Sequence, residues 1–510
     1  MNKFKQKFTS VLLGRNASSG ALTAIVIAAV VFVNIIINLL TSALGLYIYR
    51  APEDDLSVSD ASDALFEEAI GRGYKVTVTF CMDRDALKEH TTGKFVYETA
   101  CGFKERYPDF IELEFVNVLT KLYYDYDNVF SEVREFDSDL YSKDMRGNEN
   151  AINNSSIIFE CGSNYRVLTD VSTNVGFADF FTLDTSYTAN AYNGEEVFAS
   201  MINWVLNAEH GTAYFTVGHG ETADVTLYNA LTCAGYYVEE LDLKQKEVPD
   251  DAELVIISNP KNDFEKAAPG AAVRSEIERL TSYAARGGSF MVFIDPLVSK
   301  LSTLESFIDG FGIGFKRDGN GTKELVKDPD NAITSDGFTL VCDYSDTELA
   351  DAIGDKIGGY GGRVIVRDVG ALTLSGESAK PLLVSSGSSV TQSGGETTDS
   401  DGAYTVAAYS SVPNDDGTEA KIFVIPSVYL TAYDAMITNG YANKNFLYSL
   451  FDVFFEKGEM PYGCKSILYD TGTLENLTMG TAKLYTALLI FIPVAIAAVG
   501  AVLIIRRKNR

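Results

Sequence analysis

Five polar residues that could bind a ligand or take part in catalysis come directly after four apolar segments, each of the length of a β-strand. The first segment runs into a turn that carries His219 and Glu221, and the others are followed by Asn259, Asp295 and Ser427. In an open parallel sheet, ligands bind beyond the carboxyl ends of the strands, where the strand order reverses. If these four ends are adjacent, we expect the five side chains to converge on one ligand-binding crevice.

The same residues lack the partners that most catalytic sites need. A histidine beside a carboxylate is typical of acid–base catalysis, but the sequence has no Gly-x-Ser-x-Gly turn to supply a nucleophile. The turn Gly218-His-Gly-Glu221 has neither the lysine nor the hydroxyl residue of a phosphate loop. With Asp295 added, His219 and Glu221 still fall short of a zinc ligand set. We therefore predict no catalytic residue, no metal and no cofactor.

A purely structural interpretation of the turn stays open beside the ligand-binding one. Its glycines would allow a tight change of direction, and His219 would bond to a neighbouring loop. Glu221 would then stabilise the start of the following helix through the helix dipole.

The segments around the turn alternate between helix-like and strand-like patterns. Continuous apolar runs of strand length are typical of parallel strands covered on both faces. The sequence predicts helices at 193–206, 225–234, 271–286 and 304–310, and strands at 213–217, 236–241, 253–258, 289–294 and 312–315. This order favours a doubly wound parallel sheet in an α/β domain that spans 191–320.

A second α/β unit is expected before it, at 55–190. A strand at 74–80, a helix at 95–106 and a strand at 111–118 form a strand–helix–strand pattern, which predicts parallel pairing. A hairpin follows at 156–161 and 165–168.

The sequence pattern changes after residue 320. Residues 321–420 contain short strand-like runs separated by loops rich in Gly, Ser and Asp. Within this segment, residues 385–401 are predicted to form a flexible surface loop. A return strand and a helix are expected at 421–460, followed by a linker at 461–483.

Two uncharged apolar stretches, 21–49 and 484–505, are long enough to cross a bilayer as helices. The flanking tails, 1–20 and 506–510, are basic, so both termini are expected in the cytoplasm and the domains between them outside it. Asn34 and Asn38 lie four residues apart in the first stretch. They could dock this helix against another membrane helix, or they could simply be tolerated polar residues.

Charge and cysteine content narrow the choice of partners. The tails hold eight of the 42 Lys and Arg residues, whereas all 70 Asp and Glu residues lie between the tails. So acidic an extracytoplasmic part disfavours nucleic acid, and we predict no nucleic-acid partner. The six cysteines show no CxxC motif or Cys/His spacing that would indicate zinc. Their disulfide state cannot be read from their spacing.

Several blocks resemble the GldG-type auxiliary components of ABC transport systems, a family first associated with gliding motility. The blocks are Asn193-Gly-Glu-Glu196, the stretch 213–221 with its Gly-His-Gly-Glu turn, 235–243, 249–260 and 283–296. The terminal apolar span with its double arginine is also similar. The likeness covers roughly residues 55–300 well and the rest weakly.

That resemblance implies a membrane-anchored extracytoplasmic subunit that works with an ABC permease and a cytoplasmic ATPase. It also implies a middle domain like a glutamine amidotransferase that has lost its nucleophile. The expected function is therefore an accessory or substrate-binding subunit that is not an enzyme. A cell-envelope hydrolase using His219 and Glu221 is one alternative, and a structural envelope anchor is another.

Overall fold

The computed structural model describes most of the chain between the two apolar stretches. The described residues are 56–118, 140–169, 176–183, 189–207, 209–266, 274–358, 362–399 and 402–468. The expected membrane spans at 21–49 and 484–505, both tails and most of the linker lie outside them. No helix within the described residues has the length and apolar character needed to cross a membrane. All of these residues belong to one compact unit, 56–481.

The N-terminal part of this unit is a small α/β layer. Its elements are α1 (Asp63–Gly71), β1 (Val76–Phe80), α2 (Arg84–Glu89), α3 (Gly93–Arg106), β2 (Ile111–Phe115), β3 (Ile157–Cys161) and β4 (Asn164–Leu168). The strands form a sheet in the order β2-β1-β3-β4, with β1 and β2 parallel and β3 and β4 antiparallel. The predicted strand–helix–strand unit and its hairpin are thus confirmed.

The next segment connects this layer to the main sheet. It contains β5 (Phe181–Leu183), β6 (Ala189–Tyr192) and α4 (Gly194–Leu206). Helix α4 packs on the first sheet, where the rings of Phe198 and Phe159 meet edge to face at 5.5 Å between centroids. Asn193 precedes α4, which begins one residue after the predicted start.

The main sheet has eight strands and defines the fold class. In chain order, its first part comprises β7 (Thr212–Thr216), α5 (Val225–Cys233), β8 (Tyr237–Leu241), β9 (Ala252–Ser258), α6 (Glu276–Ala284) and β10 (Ser289–Phe293). Four later strands complete the sheet: β14 (Asp343–Tyr344), β17 (Ala379–Val384), β20 (Thr405–Pro413) and β21 (Glu419–Ile425). The sheet order is β14-β17-β20-β21-β10-β9-β7-β8, and the five strands from β21 to β8 are parallel. The α/β class is confirmed, and the sheet is mixed rather than wholly parallel.

Beyond β10 the chain adds helices and short strands before it returns to the sheet. These are α7 (Ser302–Asp309), β11 (Ile313–Phe315), β12 (Leu325–Lys327), β13 (Thr339–Val341), β14 (Asp343–Tyr344), α8 (Glu348–Gly358), β15 (Ile365–Arg367), β16 (Leu372–Leu374), β17 (Ala379–Val384), β18 (Val390–Ser393), β19 (Glu396–Asp399), β20 (Thr405–Pro413) and β21 (Glu419–Ile425). Strands β14, β17 and β20 extend the main sheet in antiparallel fashion. The β-rich segment therefore contributes an edge of the main sheet.

The predicted flexible loop at 385–401 was wrong in part, because β18 and β19 form a hairpin there. The turn of this hairpin consists of Gly394 and Gly395, which have φ angles of 58° and 87°. Two consecutive residues with positive φ suit a two-residue hairpin turn, and glycine adopts such angles without strain. The Gly-Gly pair between polar runs was the signal for this hairpin.

Helices cover both faces of the main sheet. Along β9, Leu254 and Ile256 belong to the apolar cluster that includes Leu227 of α5, whereas Val255 and Ile257 belong to the opposite cluster. Alternate residues of the strand are thus buried in two separate cores. Because both faces of such a strand are covered, its sequence is a continuous apolar run. The chain ends with α9 (Tyr433–Ile437), α10 (Asn443–Ser449), a π-helical turn at Leu450–Phe454 and β22 (Ile467–Leu468), which pairs with β6.

The strand order reverses beside β7. The chain runs from β7 to β8 on one side and then crosses to β9 on the other side, from which it continues outward to β10 and β21. This reversal places the carboxyl ends of β7 and β9 at the position where sheets of this kind open a crevice. The turn with His219 lies at that position.

Candidate functional site

The turn after β7 is built by two glycines. Gly218 and Gly220 have φ angles of 111° and 74°, which other residues rarely adopt. Between them, His219 is directed into the protein and is only 1% exposed. The chain therefore turns sharply at the end of the strand and buries the imidazole ring under it.

The imidazole ring of His219 bridges two carboxylates. Its Nδ1 lies 2.8 Å from Oε1 of Glu221, and its Nε2 lies 3.0 Å from Oε2 of Glu276, the first residue of α6. The ring also stacks on Phe264, with 3.9 Å between the centroids. Both ring nitrogens and one ring face are thus in contact with the protein itself.

The backbone of the turn is fixed in the same way. The His219 amide donates to Oε2 of Glu221 at 2.6 Å, and the His219 carbonyl accepts from the amides of Lys261 and Asn262, each at 2.9 Å. These bonds join the turn after β7 to the turn after β9. The arrangement is a closed contact between two strand ends.

The two carboxylates determine the charge on His219. Burial of the imidazole lowers its pKa, but its hydrogen bonds to the carboxylates of Glu221 and Glu276 outweigh this effect, and the pKa of His219 lies above its ordinary value. Burial likewise raises the pKa of Glu221, but the hydrogen bond to His219 outweighs it, and that pKa is lowered. The geometry thus favours an imidazolium that donates from both nitrogens.

Asn259 and Asp295 lie at the neighbouring strand ends and are joined by one lysine. The ammonium of Lys261 donates to Oδ1 of Asn259 at 2.6 Å and to Oδ2 of Asp295 at 3.1 Å. Asn259 has a φ of 55°, a left-handed conformation that asparagine tolerates better than most residues. Unlike His219, this group reaches solvent, because the side chains of Lys261 and Asp295 are 42% and 27% exposed.

Ser427 belongs to the same edge of the sheet but lies apart from His219. Three strand spacings separate β21 from β7, which corresponds to roughly 14 Å at the usual interval between strands. The Ser427 hydroxyl donates to the carbonyl of Arg367 at 2.6 Å and is buried. Gly370 packs against Pro296 and Pro426, so the loop after β15 covers this part of the edge.

The structure thus pairs His219 with Glu221, and Asn259 with Asp295 through Lys261, whose amide donates to the His219 carbonyl. Ser427 lies outside both pairs. Whether they bind a ligand remains a prediction. Glu221 does not stabilise the next helix, because Asp224 caps α5 by accepting from the amide of Thr226 at 3.2 Å. Sequence reasoning missed Glu276, which is 57 residues from His219. Within the described residues, no group of three or more His, Cys, Asp or Glu side chains could hold a metal ion.

Comparisons with known proteins place this geometry in no family. A scan against protein-family models finds no match, and a search of curated proteins finds none. Among solved structures, the chain is similar to the mmIFT52 N-terminal domain, with 15% identity, a TM-score of 0.37, and coverage of 49% of this chain and 99% of that one.

Two structures from Thermotoga maritima are also similar. One is described as PurLQS, with 16% identity, a TM-score of 0.28, and coverage of 48% of this chain and 100% of that one. The other is described as a glutamine amidotransferase, with 10% identity, a TM-score of 0.27, and coverage of 49% and 100%. Likeness at this level identifies neither a family nor an activity.

Proposed function

We propose that this protein is a membrane-anchored extracytoplasmic accessory or substrate-binding subunit of an ABC-type transport system, without catalytic activity of its own. The resemblance of its sequence blocks to GldG-type auxiliary components supports this role. So do the two apolar stretches at 21–49 and 484–505 with their basic flanks. We further propose that the domain around the main sheet is related to amidotransferase-like folds.

The observation that carries the non-catalytic part of the proposal is the closed contact of His219. A general base must be unprotonated at the working pH and within reach of the proton that it removes. His219 has a raised pKa, and its two nitrogens already bond to Glu221 and Glu276. It is therefore a poor candidate for the base of an envelope hydrolase.

Two candidate nucleophiles lead to the same conclusion. Ser427 lies about 14 Å away by strand spacing, and its hydroxyl bonds to the backbone. Cys233 lies in the last turn of α5, where burial raises the pKa of its thiol to about 12. A thiol that stays protonated is a weak nucleophile. Neither residue forms a pair with His219.

The partners follow from what the chain itself lacks. Two membrane helices alone cannot enclose a transport path, and the sequence has no phosphate-binding loop for ATP. A permease and a cytoplasmic ATPase would supply both. We expect Asn34 and Asn38 to help hold the first membrane helix against the permease, because amide side chains form hydrogen bonds between helices in lipid.

Affinity capture of the full chain from its native membranes tests the proposal. We expect mass spectrometry of material captured in a mild detergent to identify a multi-span permease and an ATPase. Replacing both Asn34 and Asn38 with leucine should reduce their recovery, whereas the matched control Ile36→Leu should not. Repeated capture without either partner would contradict the transport role and leave the structural anchor.

The hydrolase alternative predicts a different result. In that case, the purified full chain would turn over envelope material, and His219→Ala would abolish the turnover without unfolding the protein. Our proposal predicts no turnover by either form.

A further inference from the structure

Three asparagines in this chain are followed directly by glycine: Asn193, Asn320 and Asn439. This dipeptide is reactive because the backbone nitrogen of the second residue can attack Cγ, the amide carbon of the asparagine side chain. Glycine has no Cβ, so it does not hinder the attack, and its backbone can adopt the conformation that brings the two atoms together. The reaction also requires an asparagine side chain that is free to rotate, and the three sites differ in this respect.

Asn193 is held in the interior of the protein. The residue is 8% exposed, and its amide nitrogen donates to the Thr182 hydroxyl at 2.7 Å. Gly194 is the first residue of α4, and a Cβ at this position would collide with the ring of Tyr192. The side chain of Asn193 therefore cannot turn toward the Gly194 nitrogen unless this packing opens.

Asn439 is exposed at the surface, but its side chain is bonded at both ends. Its amide nitrogen donates to the carbonyl of Ser466 at 2.7 Å, and its Oδ1 accepts from the Ser466 amide at 3.0 Å. Both bonds must break before Cγ can approach the Gly440 nitrogen. Two neutral hydrogen bonds of ordinary strength slow such a step roughly thirtyfold.

Asn320 has no such restraint. It lies in the exposed turn 319–322, and its side-chain amide has no hydrogen-bond partner among the described residues. Its backbone amide donates to Oδ1 of Asp318 at 2.8 Å, which leaves the side chain free. Gly321 has a φ of 82°, and no atom lies within 4 Å of the position that a Cβ would occupy. Both reacting groups are therefore accessible.

The attacking nitrogen is held only by the turn itself. The Gly321 amide donates to the Asp318 carbonyl at 3.0 Å, and this bond must open before the nitrogen can attack. Exposed turns open locally at little free-energy cost, because few buried contacts are lost. The Asn320 side chain and the Gly321 nitrogen can thus meet while the domain stays folded.

We propose that Asn320 is a site of spontaneous deamidation in the folded protein. The Gly321 nitrogen forms a bond to Cγ and loses its proton, while the Cγ–Nδ2 bond breaks and ammonia leaves with that proton. Water then opens the resulting five-membered ring at either carbonyl, which gives aspartate or isoaspartate. No oxidant or reductant is needed, since the net change is the replacement of an amide by a carboxylic acid through water.

The product changes the charge and the length of the turn. It adds a negative charge close to Asp318, whose carboxylate already accepts from the Ser393 hydroxyl of β18 at 2.8 Å. In the isoaspartate form, the backbone of the turn is one carbon atom longer. The site is independent of the proposed transport role, because it requires only the described part of the chain.

Peptide mapping by mass spectrometry tests the site in the full chain, aged in detergent at mildly alkaline pH. We expect the fragment with Asn320 to gain the mass of deamidation first. The fragment with Asn439 should react roughly thirtyfold more slowly, and the fragment with buried Asn193 should also lag behind. Asn320→Gln is the matched control, because it keeps an exposed amide but needs a larger ring to react, and it should stay unmodified.

The same measurement in urea separates the effect of the fold from that of the dipeptide. In the unfolded chain the three asparagines should react at similar rates, because each is followed by glycine and none is held by packing or hydrogen bonds. Equal rates at Asn320 and Asn439 in the native protein would overturn the proposal. An Asn320 that reacts in urea but stays unmodified in the native protein would overturn it as well.

Discussion

Replacing His219 with alanine is the substitution that most severely tests the closed contact at the sheet edge. The side chains of Glu221 and Glu276 are only 7% and 1% exposed, so without the imidazole two carboxylates stay buried, and no other cation among the described residues is paired with them. The ring of Phe264 also loses the surface against which it stacks. The structure therefore predicts a large loss of stability from one side chain.

The size and the pH dependence of this loss follow from the geometry. Removing one partner of a buried ion pair costs about 3 to 5 kcal/mol, a large part of the total stability of a typical domain. Because the pKa of His219 is raised, its contribution is complete below its unfolded value of about 6.5 and is lost as the pH rises through the folded-state pKa. Because the pKa of Glu221 is lowered, its contribution is present above 4.5 and is lost as the pH falls through the lower folded-state value. The loss should therefore be largest between about pH 4.5 and 6.5.

Urea unfolding followed by tryptophan fluorescence measures this loss. Trp204 is the only tryptophan, is 3% exposed and stacks on His210 at 3.9 Å, so its emission reports the junction between the two layers. His90→Ala is the matched control, because burial lowers the pKa of His90 and its contribution falls as the pH drops below about 6.5. A loss below about 1 kcal/mol for His219→Ala at pH 6, or the same pH trend in both variants, would refute the reasoning.

Two further predictions concern packing and thiol accessibility. Gly194→Ala places a Cβ against the buried ring and hydroxyl of Tyr192 and should cost about 1 to 3 kcal/mol in urea unfolding. Gly354→Ala, in open space on α8, should stabilise by about 0.5 kcal/mol. Equal effects would contradict the packing around Tyr192. All six cysteines lack disulfide bonds, and four of them are buried: Cys81, Cys233, Cys342 and Cys464. A thiol reagent should therefore modify only Cys101 and Cys161 rapidly in the native protein and all six in urea, and rapid native modification of a third thiol would contradict this burial.

The parallel strands could be predicted from the sequence because they are short and continuously apolar. The predicted strand at 289–294 corresponds to β10, Ser289–Phe293, and the predicted strand at 253–258 corresponds to β9, Ala252–Ser258. Helix starts were harder to place. The predicted helix at 271–286 corresponds to α6, which begins at Glu276 because Ser275 and Glu278 form a capping box there.

The hydrogen-bond partners of the predicted site residues could not be predicted from the hydrophobic pattern of the sequence. The contact between His219 and Glu276 depends on how α6 packs over the end of β7, and hydrophobic periodicity carries no information on that distance. Glu221 was expected at the next helix, but a hydrogen bond to the ring two residues earlier satisfies it instead. Asn193 and Glu196 show the same limit. Their spacing is that of a capping box, but Asn193 does not cap the helix and Glu196 accepts hydrogen bonds from Lys444 and Tyr448 instead.

The most direct test of the closed contact at His219 is NMR of the full chain labelled with nitrogen-15 in its three histidines. Protonation of both ring nitrogens shifts their resonances to values distinct from those of either neutral tautomer. At pH 6.5 we expect one histidine to be mainly doubly protonated and its signal to disappear in His219→Ala, while His90 and His210, whose pKa values are lowered by burial, are mainly neutral. Three mainly neutral histidines at pH 6.5 would contradict the closed contact and return His219 to the candidates for a catalytic base.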